Sequence, residues 1–356
     1  MYKPAIRIDT AAPKNPDASL LLIYTGGTLG MAHNDEGTLV PFDFEQIIER
    51  IPSLKRYNLI LTVIAFEELL DSADAGPETW VSIGQLIEEN YADYDGFVVL
   101  HGTDTMAYSA SALSFMLQNL SKPVVFTGAQ LPIGAVRTDA RENLLGALEI
   151  ASAKTAEGKP RVPEVCLYFN DNLLRGNRAK KVQSILFDAF ESHNYPLLAE
   201  AGIEIQYNNS NILTPQPQPL QLKKKFHSQV AVLKIYPGIQ PAFVKAVLQA
   251  KELAGVILET YGSGNAPTYT WFIQELKQAI DRGVIILNVS QCQGGKVVQG
   301  RYGTSKLLQE IGVLSGYDLT TEAALTKMML LLGEETSVET VKRQIIVPIC
   351  GEMSVR

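Results

Sequence analysis

Short apolar runs alternate along this chain with longer amphipathic stretches, and that pattern predicts an α/β protein. We expect a large N-terminal domain built on a parallel sheet with flanking helices, followed by a smaller C-terminal α/β domain. The expectation rests on the near-continuous apolar character of the short runs, on the helical spacing between them, and on a break in the alternation after residue 210. The boundaries are residues 1–210 for the first domain, 211–228 for a linker and 229–356 for the second.

Residues 20–24, 59–65, 96–100, 123–127 and 164–169 read as buried strands, apolar on both faces as the middle of a parallel sheet requires. Between them, Met106, Ala110, Leu113 and Leu117 fall on one face of a helix over 105–120. Leu144, Leu145, Leu148 and Ala151 mark a second helix over 139–153. Its first residue, Asp139, is placed to cap it and meet the positive end of its dipole. Residues 208–221, NNSNILTPQPQPLQ, read as an extended connector. Beyond it we expect strands at 229–235, 255–259 and 284–289. Helices are expected at 241–250, with Pro241 suited to the first turn, and at 270–282, 320–333 and 337–343.

A chain of 356 residues with 46% hydrophobic and 19% charged residues can bury two cores without covalent staples. Its three cysteines and four histidines show no metal-ligand spacing, so neither metal nor cofactor is expected. Free thiols, an N-terminus without an apolar leader and the absence of a 20-residue apolar run point to a cytoplasmic protein with no membrane partner. A net charge of −7 disfavours nucleic acid as a partner.

Four loops could carry chemistry, each directly after an expected strand, where open α/β sheets bind their ligands. The first is YTGGTLG at 24–30. Gly26 and Gly27 let the backbone approach a ligand, and Thr28 offers a hydroxyl. Read alone it could equally be a tight turn or a phosphate cradle, but it lacks a dinucleotide fingerprint and a Walker ending. The second is HGTDT at 101–105, with Thr103 and Asp104, which alone reads as helix capping. The third, LRGNRAKK at 174–181, supplies Lys181. A lysine partly desolvated beside a threonine can act as a base. The fourth is LDSAD at 70–74, whose Asp71 and Ser72 could hold a small zwitterion. No Ser–His or Cys–His set appears, so a Thr–Lys–Asp set is the best-supplied nucleophile system.

TGGTLG, HGTDT, RENLLGAL at 141–148 and the lysine loop occur in this order in the bacterial-type asparaginases, which the chain resembles from about residue 20 to about 333. TYGSGNAP at 260–267, VSQCQGG at 289–295 and GYDLTTEAALTK at 316–327 are similar to the intracellular type I branch. The resemblance implies hydrolysis of L-asparagine to L-aspartate and ammonia, possible in a minor way for glutamine, by a homo-oligomer built from close dimers. It implies that Thr28 attacks the amide and forms a β-aspartyl ester, and that Thr103, Asp104 and Lys181 handle protons. It further implies that Gly27, Asp71, Ser72, Ala73 and Gly102 line the substrate site, with the backbone N–H groups near Thr103 and Ala129 as oxyanion donors. Many family members carry a tyrosine about ten residues after the first threonine. Here Thr38 stands there, and Tyr302 matches a tyrosine that some type I members supply from a neighbouring subunit. Lys180 stands where some type I members have a threonine tied to an allosteric asparagine site. Two rival readings are an ammonia-releasing amidotransferase subunit of the same fold and a non-catalytic asparagine sensor.

Overall fold

The computed structural model describes residues 2–10, 15–33, 39–41, 51–300, 303–335 and 337–355. The apolar run at 20–24 lies inside strand β2 (Ala18–Gly26), which is buried because it has a strand on each side. With β1 (Ile6–Asp9), β3 (Leu59–Leu70), β4 (Gly96–Leu100), β5 (Val124–Thr127), β6 (Val165–Phe169), β7 (Asn172–Arg175), β8 (Ala199–Ala201) and β9 (Ile205–Tyr207) it forms one sheet in the order β1-β3-β2-β4-β5-β6-β7-β8-β9. The five strands from β3 to β6 are parallel, so their carboxyl ends share one edge. The outer strands pair antiparallel. β1 and β7–β9 lie outside the five expected strands, and β3 runs beyond residue 65 to Leu70.

Helix α1 (Pro77–Glu89), also unforeseen, packs on helix α2 (Met106–Met116), and α2 packs on β5 and β6. Helix α3 (Ala140–Ser152) packs on β2, β4, β5 and β6. Three details of the helices correct the expectations. The expected helix over 105–120 ends at Met116. Leu117 leaves helical geometry, and residues 117–118 pair antiparallel with 221–222 before Asn119 turns through a positive φ of 60°. Every residue of α2 but Tyr108 is buried, so this helix is packed all round rather than on one stripe. Asp139 sits at the start of α3 but makes no capping bond. Its carboxylate accepts instead from the N–H groups of Gln130 and Leu131 in the loop after β5.

The carbon skeleton of the connector is not loose where it meets the sheet. Glu164 and Arg175 form a buried pair at 2.6 Å, and that pair takes the Asn211 carbonyl at 2.7 Å and the Leu213 N–H at 2.8 Å. Composition marks this stretch as extended, and a buried ion pair supplied by the sheet fastens it.

Met1–Ser192 with Pro196–Leu222 form one compact unit, and His193–Tyr195 with Lys223–Arg356 the other. The second has its own parallel sheet, β10 (Val230–Lys234), β11 (Gly255–Thr260), β12 (Ile285–Ser290) and β13 (Leu314–Ser315), in sequence order. Helices α4 (Pro241–Leu248), α5 (Thr270–Asp281), α6 (Gly303–Glu310), α7 (Thr321–Glu334) and α8 (Val338–Ile345) accompany it. Leu233, Val256, Leu258, Phe272, Leu276 and Ile286 form the centre of its core. Lys327 of α7 is fully buried and ion-paired to Glu352 at 2.7 Å, which ties the last residues of the chain to that helix.

Candidate active site

At the carboxyl ends of the parallel strands three loops come into contact. β2 leaves the sheet through Gly27, whose φ of +90° is open to glycine at low cost, into a tight 3-10 turn over Thr28–Gly30. A methyl group on Gly27 would lie 2.6 Å from the backbone of Gly102, and one on Gly102 would lie 2.6 Å from Ser72 Oγ. The loops after β2, β4 and β3 therefore stack so closely that two of them need glycine.

The two threonines of the first loop have different surroundings. Thr25 is buried and donates to the Leu100 carbonyl at 3.0 Å, which ties β2 to β4. Thr28 is half-buried, and its hydroxyl has no hydrogen-bond partner among the described residues. Tyr24, buried beneath the turn, donates its hydroxyl to the Gly30 carbonyl at 2.8 Å and pins the turn that presents Thr28. Burial raises the Tyr24 phenol well above its ordinary value, so it stays a donor.

Lys181 lies in a two-residue strand, Lys180–Lys181, paired with Phe190–Glu191. Its Nζ donates to Thr103 Oγ1 at 2.7 Å and to Asp104 Oδ1 at 2.6 Å. Thr103 in turn donates to Gln130 Oε1 at 3.3 Å, and Gln130 Nε2 donates to the Leu186 carbonyl at 3.1 Å. The Lys181 side chain is 17% exposed and that of Asp104 is 68% exposed. A pair with one partner in water adds little to stability, so its consequence is where it holds the amine.

Asp71 begins a short turn over Ser72–Asp74 and accepts from the Ala73 N–H at 2.9 Å. Its other carboxylate oxygen has no partner among the described residues. Ser72 is buried, and its carbonyl accepts from Thr105 Oγ1 at 2.6 Å. Ala129, in the loop after β5, is buried, and its N–H has no partner among the described residues. The structure thus joins Lys181, Thr103 and Asp104 by direct bonds, and brings Gly27, Gly102 and Ser72 together by contact. Tyr302 and Thr38 lie outside the described residues. The stretch from Met31 to Pro41 is described only as a short antiparallel pair, Met31–His33 with Leu39–Pro41. Among the described residues no group of three or more metal-ligating side chains occurs.

The sequence reading missed three polar residues beneath the site. His101 is buried, with Nδ1 at 2.8 Å from the Gly102 carbonyl and Nε2 at 2.9 Å from Ser109 Oγ. A carbonyl only accepts, so Nδ1 carries the proton and Nε2 accepts from Ser109, which accepts from Trp80 Nε1 at 2.9 Å. Burial lowers the His101 pKa and keeps the ring neutral. Gln130 and Asn143 are the other two. Asn143 sat in view within the RENLLGAL string, but its partners lie in other loops.

The N-terminal family model for asparaginase matches residues 19–213, and the C-terminal glutaminase/asparaginase model matches residues 229–345. The chain belongs to the asparaginase family. It is 41% identical to L-asparaginase 1 of Escherichia coli K12, over 94% of this chain and 98% of that protein. It is also 41% identical to the 60 kDa lysophospholipase of Mus musculus, over 97% of this chain and 64% of that protein. Among solved structures, L-asparaginase I of Vibrio cholerae superposes with a TM-score of 0.85 at 40% identity, covering 95% of this chain and 99% of that one. The family and its α/β architecture are those the motifs implied. In this family member the described residues include no helix long and apolar enough to cross a membrane.

Proposed function

We propose that this chain hydrolyses the side-chain amide of L-asparagine to L-aspartate and ammonia through a covalent β-aspartyl ester on Thr28. The Thr28 hydroxyl oxygen attacks the amide carbon, and its proton leaves toward the Thr103–Lys181 pair. The carbonyl becomes an oxyanion that the N–H groups of Thr103 and Ala129 receive. The C–N bond breaks as the nitrogen takes up a proton, and ammonia departs. Water then attacks the ester, giving aspartate and restoring the hydroxyl.

The bond from Lys181 to Thr103, beside the contact of Gly27 with Gly102, is the observation that carries this reading. It supports a hydroxyl and an amine acting together on a substrate at the strand ends. Among the described residues the Thr28 hydroxyl has no partner and could meet that substrate, whereas Thr25 is consumed by the sheet. Asp71, Ser72 and Ala73 would hold the α-ammonium and α-carboxylate, which sets the distance to the amide. Glutamine is longer by one methylene, a difference worth about 1–3 kcal/mol in discrimination, so a minor glutaminase activity is expected.

We further propose a cytoplasmic homo-oligomer, with Tyr302 serving a neighbouring subunit's site; a Tyr302→Phe variant with unchanged turnover and affinity would remove that role. The deciding experiment measures ammonia release from asparagine by wild type and Thr28→Ala, with acid-quenched wild type examined by mass spectrometry for an aspartyl ester on Thr28. Turnover by wild type, loss in Thr28→Ala and the adduct are the expected results. No turnover in wild type would leave the sensor reading, and ammonia released only with an acceptor would favour an amidotransferase subunit.

A further inference from the structure

The loop that carries Ala129 is held from one side by two residues at the start of α3. Asn143 is buried, and its Nδ2 donates to the Gly128 carbonyl at 3.0 Å and to Asp139 Oδ2 at 3.2 Å. Its Oδ1 accepts from the Asn170 N–H at 3.0 Å. The orientation of this carboxamide is therefore fixed: turned over, it would set oxygen against the Gly128 carbonyl and NH₂ against an N–H. The Asp139 carboxylate grips the next part of the loop, accepting from Gln130 N–H at 2.9 Å and Leu131 N–H at 3.0 Å.

The Gly128 carbonyl and the Ala129 N–H belong to one planar trans peptide, so they point in opposite directions. Fixing the carbonyl on Asn143 fixes the direction of the Ala129 N–H, away from Asn143. That N–H is in a buried residue and has no partner among the described residues, although buried backbone donors are nearly always paired. A donor left open and held by its own peptide plane is what a developing oxyanion needs, because it requires no reorganisation when charge appears.

We propose that Asn143 is a positioning residue that aims the Ala129 N–H at the oxyanion, with Asp139 fixing the two peptide groups that follow. The proposal rests on the asparaginase reading given above. Asn143→Asp keeps the shape and the acceptor for Asn170 but replaces the donor with an anion facing a carbonyl and the Asp139 carboxylate. We expect kcat for asparagine to fall about 10- to 100-fold, less than outright loss of an oxyanion donor would cost. KM should stay within about twofold, since the contacts to the α-ammonium and α-carboxylate lie elsewhere. Should Asn143→Asp not fold, Asp139→Asn carries the same split between kcat and KM. Unchanged kcat in a folded variant, or a loss carried by KM rather than by kcat, would overturn the proposal. Thr28→Ala assayed alongside separates the two levels: turnover there would sink the threonine-ester reading itself, whereas its loss beside an unaffected Asn143→Asp would sink only the role of Asn143.

Discussion

Lys181 Nζ donates to Thr103 Oγ1 at 2.7 Å although 78 positions separate the two residues. The short strand that carries Lys181 and the loop after β4 meet only because the sheet brings them together. The bond makes the amine and the hydroxyl one unit, with Asp104 on its open side.

Replacing the amine should therefore abolish chemistry more than binding. For Lys181→Met we expect kcat to fall by about 10²- to 10⁴-fold, the scale of a lost proton-transfer group, with a much smaller change in KM. Asp104 is mostly in water, so Asp104→Asn should alter unfolding free energy by less than about 1 kcal/mol. Steady-state kinetics and urea unfolding of both variants test this. A Lys181→Met enzyme of near wild-type kcat would contradict it.

The two threonines of the TGGT loop should separate cleanly. Thr25→Val keeps the shape and removes only the bond to the Leu100 carbonyl, at a cost of about 1 kcal/mol of stability, and should leave turnover near wild type. Thr28→Val should be inactive at nearly unchanged stability. Turnover and urea midpoints measured on both variants would show whether the roles are reversed.

Lys327 and Glu352 form a pair with no exposed surface, and Lys327 also donates to the carbonyls of Ile345 and Val347. Desolvation lowers the pKa of the lysine, and Glu352 works in the other direction. Lys327→Met strands a buried carboxylate and should cost about 3–5 kcal/mol. Adding Glu352→Gln, which removes the charge and keeps an acceptor for the Ile349 and Cys350 N–H groups, should recover part of that. Denaturant unfolding of the two variants checks it, and a double variant no better than the single would exclude an electrostatic cause.

His101 has a depressed pKa because burial disfavours its charged form. The unfolded chain binds a proton near pH 6.5, which the folded chain resists. The unfolded state then holds more protons, so stability falls as pH drops below that value and is fully present above it. His101→Gln should flatten the slope of urea midpoint against pH between 7 and 5. An unchanged slope would mean other groups set the acid limit.

Much of this protein follows from local chemistry. The apolar runs at 20–24 and 96–100 have one stable use, as central strands, and the glycine and threonine residues after them mark the edge where ligands bind. The family follows from those loops and their order. Local patterns do not report what depends on distant partners. Leu117 has helical spacing yet leaves the helix to pair with Leu222. Asp139 has the residue type and place of a cap, but the Gln130 and Leu131 N–H groups claim its carboxylate. Strands β7 to β9 carry mixed residues whose backbone bonds form only with neighbouring strands of the sheet. Only the fold decided that Lys181 reaches Thr103, that Thr25 turns into the sheet, and that Asn143 holds a peptide in another loop. Hydrogen bonds and close contacts depend on position in space, and the chain order of their partners carries no record of it.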